Sequence, residues 1–104
     1  MKGSDLMESK IKLYHGVLRS KILTSNEKAV LCMIVSYEGE YLSNIFIGKS
    51  LGLTPNCISK ILARLKKGEY ITTSYEEYNF AKKRMIHTTE KTINMINLGG
   101  NYND

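Results

Sequence analysis

The chain has 104 residues, 42% hydrophobic and 24% charged, with 15 basic against 10 acidic residues for a formal net charge of +5. That length suits one domain with one core and leaves little room for both a scaffold and a deep substrate cavity. The composition excludes wholesale disorder, no run approaches the roughly 18 apolar residues of a membrane span, and Met1-Lys2-Gly3-Ser4-Asp5-Leu6 lacks the apolar stretch of a secretory signal, which points to the cytoplasm.

Residues 1–10 are polar and unpatterned and read as a flexible N-terminus. A single domain is expected over 11–98, with a flexible tail over 99–104. Residues 11–23 carry scattered apolar positions, Ile11, Leu13, Tyr14, Ile22 and Leu23 among them. They predict a strand followed by a short helical turn. Thr24-Ser25-Asn26-Glu27 then has the form of a capping box, in which the Thr24 hydroxyl accepts from the Glu27 amide and the Glu27 carboxylate reaches back. The run Ala29-Val30-Leu31-Cys32-Met33-Ile34-Val35 is apolar on nearly every side, so its helix is a buried one. Gly39 suits the turn that ends it.

Ser43 is the next candidate N-cap, opening about two helical turns over Asn44-Ile45-Phe46-Ile47-Gly48-Lys49-Ser50-Leu51. Gly52 suits a left-handed turn, and Leu53 offers an apolar plug. Thr54 and Pro55 provide an N-cap and an N1 residue for a third helix. Ile58, Ile61, Leu62 and Leu65 recur at helical spacing along one face. Lys66-Lys67-Gly68 supplies the cationic last turn and the stop. Lys49, Lys60, Arg64, Lys66 and Lys67 fall in residues 43–68 without a single acid, and the rest of the chain is balanced. The whole positive excess therefore belongs to one segment, which points to an anionic partner.

Beyond Gly68 the period changes. Tyr70-Ile71-Thr72-Thr73-Ser74-Tyr75 is β-branched and aromatic and predicts a strand. Residues 76–80 read as the turn, with Asn79 well suited to it. Lys82-Lys83-Arg84-Met85-Ile86-His87-Thr88 forms the return strand of a hairpin. Residues 92–98 fit a strand or a short helix equally.

The order of helix, short helix, glycine turn, helix, glycine stop and hairpin resembles the winged helix-turn-helix DNA-binding domains, an α+β fold of three helices and a β-hairpin wing. The resemblance is carried by residues 42–71, and it covers about 24–88. Gly48 stands at the small position usually held by Ala. Leu65, Gly68 and Tyr70-Ile71 supply the exit into the wing, with one residue more than a minimal pattern. Residues 22–35 are similar to the opening of winged-helix domains in plasmid and phage replication proteins and in plasmid-transfer accessory proteins. At this length a small accessory factor in conjugative transfer or at a replication origin is expected. A transcriptional regulator is the alternative, and a protein-interaction module that does not bind DNA is a further one.

In this fold the third helix enters the major groove with its N-terminal residues on base edges. With Ile58, Ile61, Leu62 and Leu65 inward, Thr54, Asn56, Cys57, Ser59, Lys60 and Arg64 remain for DNA. Asn56 suits adenine N6/N7, and Lys60 suits guanine O6/N7 or a phosphate. Ser43 and Lys49 are candidates for the backbone. Since Thr54–Ser59 holds no arginine, the wing, through Tyr75, Tyr78, Asn79, Lys82, Lys83 and Arg84, is expected to carry at least as much affinity as the helix. The implied partner is double-stranded DNA, bound by a homodimer, with other proteins of a replication or transfer complex as candidates; the apolar segments 11–23 and 92–98 either join the subunits or pack against the helix over 25–38. No cofactor is implied. Cys32 and Cys57 are far apart without secretory context, and His15 and His87 have no ligand-like companion, so no metal or disulfide site is expected. No catalytic spacing is present, and an enzyme is not expected.

Overall fold

The computed structural model describes residues 10–102. The elements are α1 (His15–Leu18), α2 (Ser25–Ser36), α3 (Asn44–Leu51), α4 (Pro55–Lys67), β1 (Ile71–Tyr78), β2 (Ala81–Thr88) and α5 (Glu90–Tyr102). This is the α+β winged-helix fold: a helical core, a helix-turn-helix formed by α3 and α4, and an antiparallel hairpin.

Local chemistry sets the helix starts. Thr24 and Glu27 form both bonds of the capping box, at 3.2 Å and 2.9 Å. Ser43 caps α3 by accepting from the Phe46 amide, and Thr54 caps α4 by accepting from the Cys57 amide. Each bond satisfies an N–H that a helix start leaves without an intrahelical partner. Helix α2 ends at Ser36, and Gly39 lies beyond its C-cap with φ +89°.

Helix α2 is the centre of the core. Val30, Leu31, Cys32, Met33 and Ile34 are all buried, so α2 is enclosed on most of its circumference. Burial pushes the Cys32 thiol above its usual range and leaves it protonated, a small core residue rather than a nucleophile. Ile58, Ile61, Leu62 and Leu65 of α4 pack inward from one face, as their spacing requires, together with Leu42, Ile47, Ile71 and Ile86.

Three stretches differ from the sequence reading. Residues 10–14 form no strand; they run extended along the end of α2, where the Lys12 amide donates to the Ser36 hydroxyl, and only the helical turn α1 follows. The 92–98 ambiguity resolves to helix, and α5 continues to Tyr102, across positions read as tail. Thr92 is fully buried in α5 and donates its hydroxyl to the Tyr70 carbonyl at 2.7 Å, which fixes the helix to the entrance of the wing. Glycine permits the other contact: a Cβ at Gly16 would overlap the Met95 carbonyl, so α1 and α5 approach backbone to backbone. The N-terminal reading at residues 1–9 and the last two tail positions lie outside the described residues.

Third, the hairpin is longer than expected. Residues 76–78 belong to β1, and the turn is only Asn79-Phe80, between Tyr78 and Ala81. Glu76 stands opposite Lys83, and Glu77 opposite Lys82. The polar character of 76–78 resembled a loop because both strands of a free-standing wing face solvent.

Candidate nucleic-acid interface

The exposed side of α4 is the complement of its buried face. Asn56, Ser59, Lys60, Arg64 and Lys67 are exposed and recur every three or four positions, so they line one stripe. Lys66 and, from α3, Lys49 are exposed as well. No acid lies in 43–68, so this surface has no cancelling charge of its own.

The remaining α4 positions have structural duties. Thr54 is exposed, but its oxygen is already accepting as the N-cap. Cys57 is half-buried and packs against the core cluster. Ser43 is likewise an N-cap. Arg64 places Nη1 3.4 Å from Oε2 of Glu27, a carboxylate only 9% exposed, while its own side chain is 61% exposed. Glu27 thus closes the capping box of α2 and tethers the last turn of α4.

The turn between α3 and α4 is unusually close. Gly48 is fully buried, and its carbonyl accepts from the Leu53 amide at 2.8 Å. A Cβ at Gly48 would overlap the Leu53 carbonyl. Gly52 has the left-handed conformation expected of it, with φ +75°. The stop after α4 is different. Gly68 has φ −79°, and the left-handed residue is Glu69, at φ +67°. Gly68 serves for space, because a Cβ there would come within 2.8 Å of the Tyr70 ring.

The wing is where the structure departs most from expectation. The Arg84 guanidinium points to the body and donates to the Leu42 carbonyl at 2.7 Å. Its Nε, and Oδ1 of Asn44 two positions after Leu42, are both buried without a hydrogen-bond partner. The Lys83 amine lies 4.5 Å from the centre of the Tyr41 ring, a cation–π contact. Lys82 is exposed but faces Glu77 across the ladder. Of the three cations read as a DNA surface, Arg84 therefore braces the wing and Lys83 stacks on Tyr41, while Lys82 stays exposed opposite Glu77. Sequence order could not reveal it, because the partners Tyr41 and Leu42 lie half the chain away. Tyr75 is exposed, and Asn79 forms the turn; the backbone of Tyr78 pairs with Ala81.

Phe80 was missing from the sequence-derived set. It is fully exposed at the wing tip, with φ +65°. The signal available was an aromatic beside Asn79 in a turn, which carries meaning only once the strand ends are known.

Among the described residues, no group of three or more His, Cys, Asp or Glu is placed to hold a metal, and no helix is long and apolar enough to cross a membrane.

No protein-family model matches the sequence, and no curated protein matches it. Solved structures do match the fold. A variant of MepR from S. aureus bound to an oligodeoxyribonucleotide superposes with a TM-score of 0.68 at 18% identity, over 84% of this chain and 62% of that one. The PcaV transcriptional regulator from Streptomyces coelicolor gives 0.61 at 20% identity, over 78% and 55%. ZitR, a zinc-responsive MarR family member from Lactococcus lactis, gives 0.61 at 23% identity, over 95% and 67%. At these identities the likeness establishes the winged-helix fold. The chain spans less than two thirds of the MepR and PcaV chains.

Proposed function

We propose that this chain is a winged-helix transcription regulator that binds double-stranded DNA as a homodimer in the cytoplasm. The observation that carries the reading is the acid-free, exposed stripe of α4, Asn56, Ser59, Lys60, Arg64 and Lys67, on a helix whose opposite face is fully buried. A protruding polar helix with a cationic end fits the major groove, with the helix start toward the bases and the lysines toward phosphates. Support for a regulator comes from the similar structures, which include a transcriptional regulator and a protein bound to an oligodeoxyribonucleotide. The reading as a plasmid or phage accessory factor gains no support from them and is not preferred.

The electrostatic share of binding rests mainly on α4 and Lys49, since Arg84 and Lys83 of the wing are engaged within the chain. Leu13, Leu18, Ile22, Ile93 and Leu98 are apolar and exposed on the segments flanking the winged core, and a second copy would cover them. Titrating duplex DNA against rising salt tests the reading. Affinity should fall steeply, because each neutralised phosphate releases counterions. An absence of salt-dependent binding to any duplex would sink it and favour the protein-interaction module.

A further inference from the structure

The two-residue turn at Asn79-Phe80 has positive φ at both positions, +52° and +65°. That is the pattern of a type I′ hairpin turn, whose second position is normally glycine. Asparagine tolerates this region; a bulky aromatic side chain rarely enters it. The fold offers Phe80 nothing in return, since the side chain is 106% exposed and meets no core. A strained conformation that displays a large apolar side chain at the end of a hairpin calls for a role outside the folded chain.

The surroundings indicate what it meets. The outer wing is electrically balanced, with Glu76 and Glu77 opposite Lys83 and Lys82, and Lys83 is drawn onto Tyr41. Such a wing gains little from lying along phosphates. The ladder from Ile71 to Tyr78 extends roughly 23 Å at the usual strand rise. It springs from the C-terminal end of α4, the helix placed in the major groove. Only its outer end, beyond the contacts of Arg84 and Lys83 with the body, stands free; a tip held there beside a helix in the major groove meets the adjoining minor groove, where an apolar side chain can wedge between base pairs and open a step.

We propose that Phe80 is a minor-groove wedge, which partly unstacks a flexible base step beside the site read by α4. The inference rests on the DNA-binding reading and adds to it a source of sequence preference without hydrogen bonds to bases. Flexible pyrimidine–purine steps such as TA open at low cost, whereas A-tracts are stiff. The protein should therefore favour DNA rich in TA steps.

The test compares the intact protein with Phe80→Gly and Phe80→Leu on two duplexes, alternating poly(dA-dT) and homopolymeric poly(dA)·poly(dT), across a range of salt. The wild-type protein is expected to bind the alternating duplex about tenfold more tightly, the scale of one aromatic–base contact. Phe80→Gly should lose that preference, and Phe80→Leu, still an apolar wedge, should keep most of it. The salt slope should be the same for all three, because the wedge neutralises no phosphate. Phe80→Gly should also unfold at a higher denaturant midpoint, since glycine relieves the left-handed strain, so weakened binding cannot be put down to misfolding. If Phe80→Gly retains the preference, or the wild-type protein has none while still binding with a steep salt slope, the wedge is overturned and the DNA-binding reading stands. If the wild-type protein binds neither duplex, the wedge is overturned, and an absence of salt-dependent binding to mixed-sequence duplexes as well takes the DNA-binding reading with it.

Discussion

The Arg84 guanidinium donates to the Leu42 carbonyl at 2.7 Å, joining β2 to the segment just before α3. The bond makes Arg84 a brace that sets the wing against the helix-turn-helix. Replacing it by methionine keeps the length and packing of the stem but removes a charged donor from a half-buried carbonyl. Arg84→Met should cost about 1–3 kcal/mol in denaturant unfolding. DNA affinity should fall, with the slope of affinity against salt unchanged. A slope reduced by about one would return Arg84 to the phosphates.

Arg64 is the opposite case. Its ion pair with Glu27 is 3.4 Å long and its side chain is mostly exposed, so screening by water limits what the pair contributes. Arg64→Ala should change stability by less than about 1 kcal/mol. On DNA it should reduce the salt slope by about one, the mark of a lost phosphate contact. An unchanged slope would show that Glu27 holds the side chain away from the duplex.

The start of α4 combines a cap with a proposed contact surface, and aspartate separates the two. Thr54→Asp preserves the side-chain acceptor at the N-cap and adds a favourable charge at the positive end of the helix. Stability should hold or rise by a few tenths of a kcal/mol. DNA binding should drop at least about tenfold, because the new carboxylate would enter the negative potential of the duplex at the helix start. Undiminished binding would place the N-terminus of α4 away from DNA.

What the sequence made legible was local. The caps at Thr24, Ser43 and Thr54, the left-handed Gly52 and the inward face of α4 all follow from neighbours within a few residues. Residues 76–78 misled because a two-sided solvated ladder has no apolar alternation to announce it. Gly68 ends α4 where the sequence marks the stop, but the positive φ falls on Glu69, and a Cβ at Gly68 would crowd the Tyr70 ring. The Arg84 brace was out of reach because it depends on where the chain returns, not on its own neighbours.

Gly48 tests how closely the turn is packed. In an ordinary helix, alanine would improve on glycine by about 1 kcal/mol. At Gly48 the added Cβ would overlap the Leu53 carbonyl, a backbone atom that cannot swing aside like a side chain. Overpacking of that kind costs about 1–3 kcal/mol, and the rigid partner puts it at the upper end. Gly48→Ala should therefore destabilise by about 1–2 kcal/mol net of the propensity gain. A more stable Gly48→Ala would mean that the α3–α4 turn relaxes freely.

The apolar ends of the chain are where the proposed dimer can be tested. Ile22 is 80% exposed and Leu98 66% exposed, and both line an open groove of about 590 Å³ together with Gly16 and Met95. If a second copy covers this region, charge placed there should separate the subunits without unfolding them. Ile22→Glu with Leu98→Glu should sediment as a monomer, with thermal unfolding at high dilution little changed from that of the parent, because neither side chain is in the core. Its DNA affinity should fall by more than tenfold, since one module reads only one half-site. Thr92→Val provides the contrast. It leaves the exposed surface intact but removes the buried hydroxyl donor of the Tyr70 carbonyl, which keeps the Thr89 amide at 3.2 Å, and it should lower stability by about 1 kcal/mol while the dimer persists. A double glutamate variant that still sediments as a dimer would move the interface to another face.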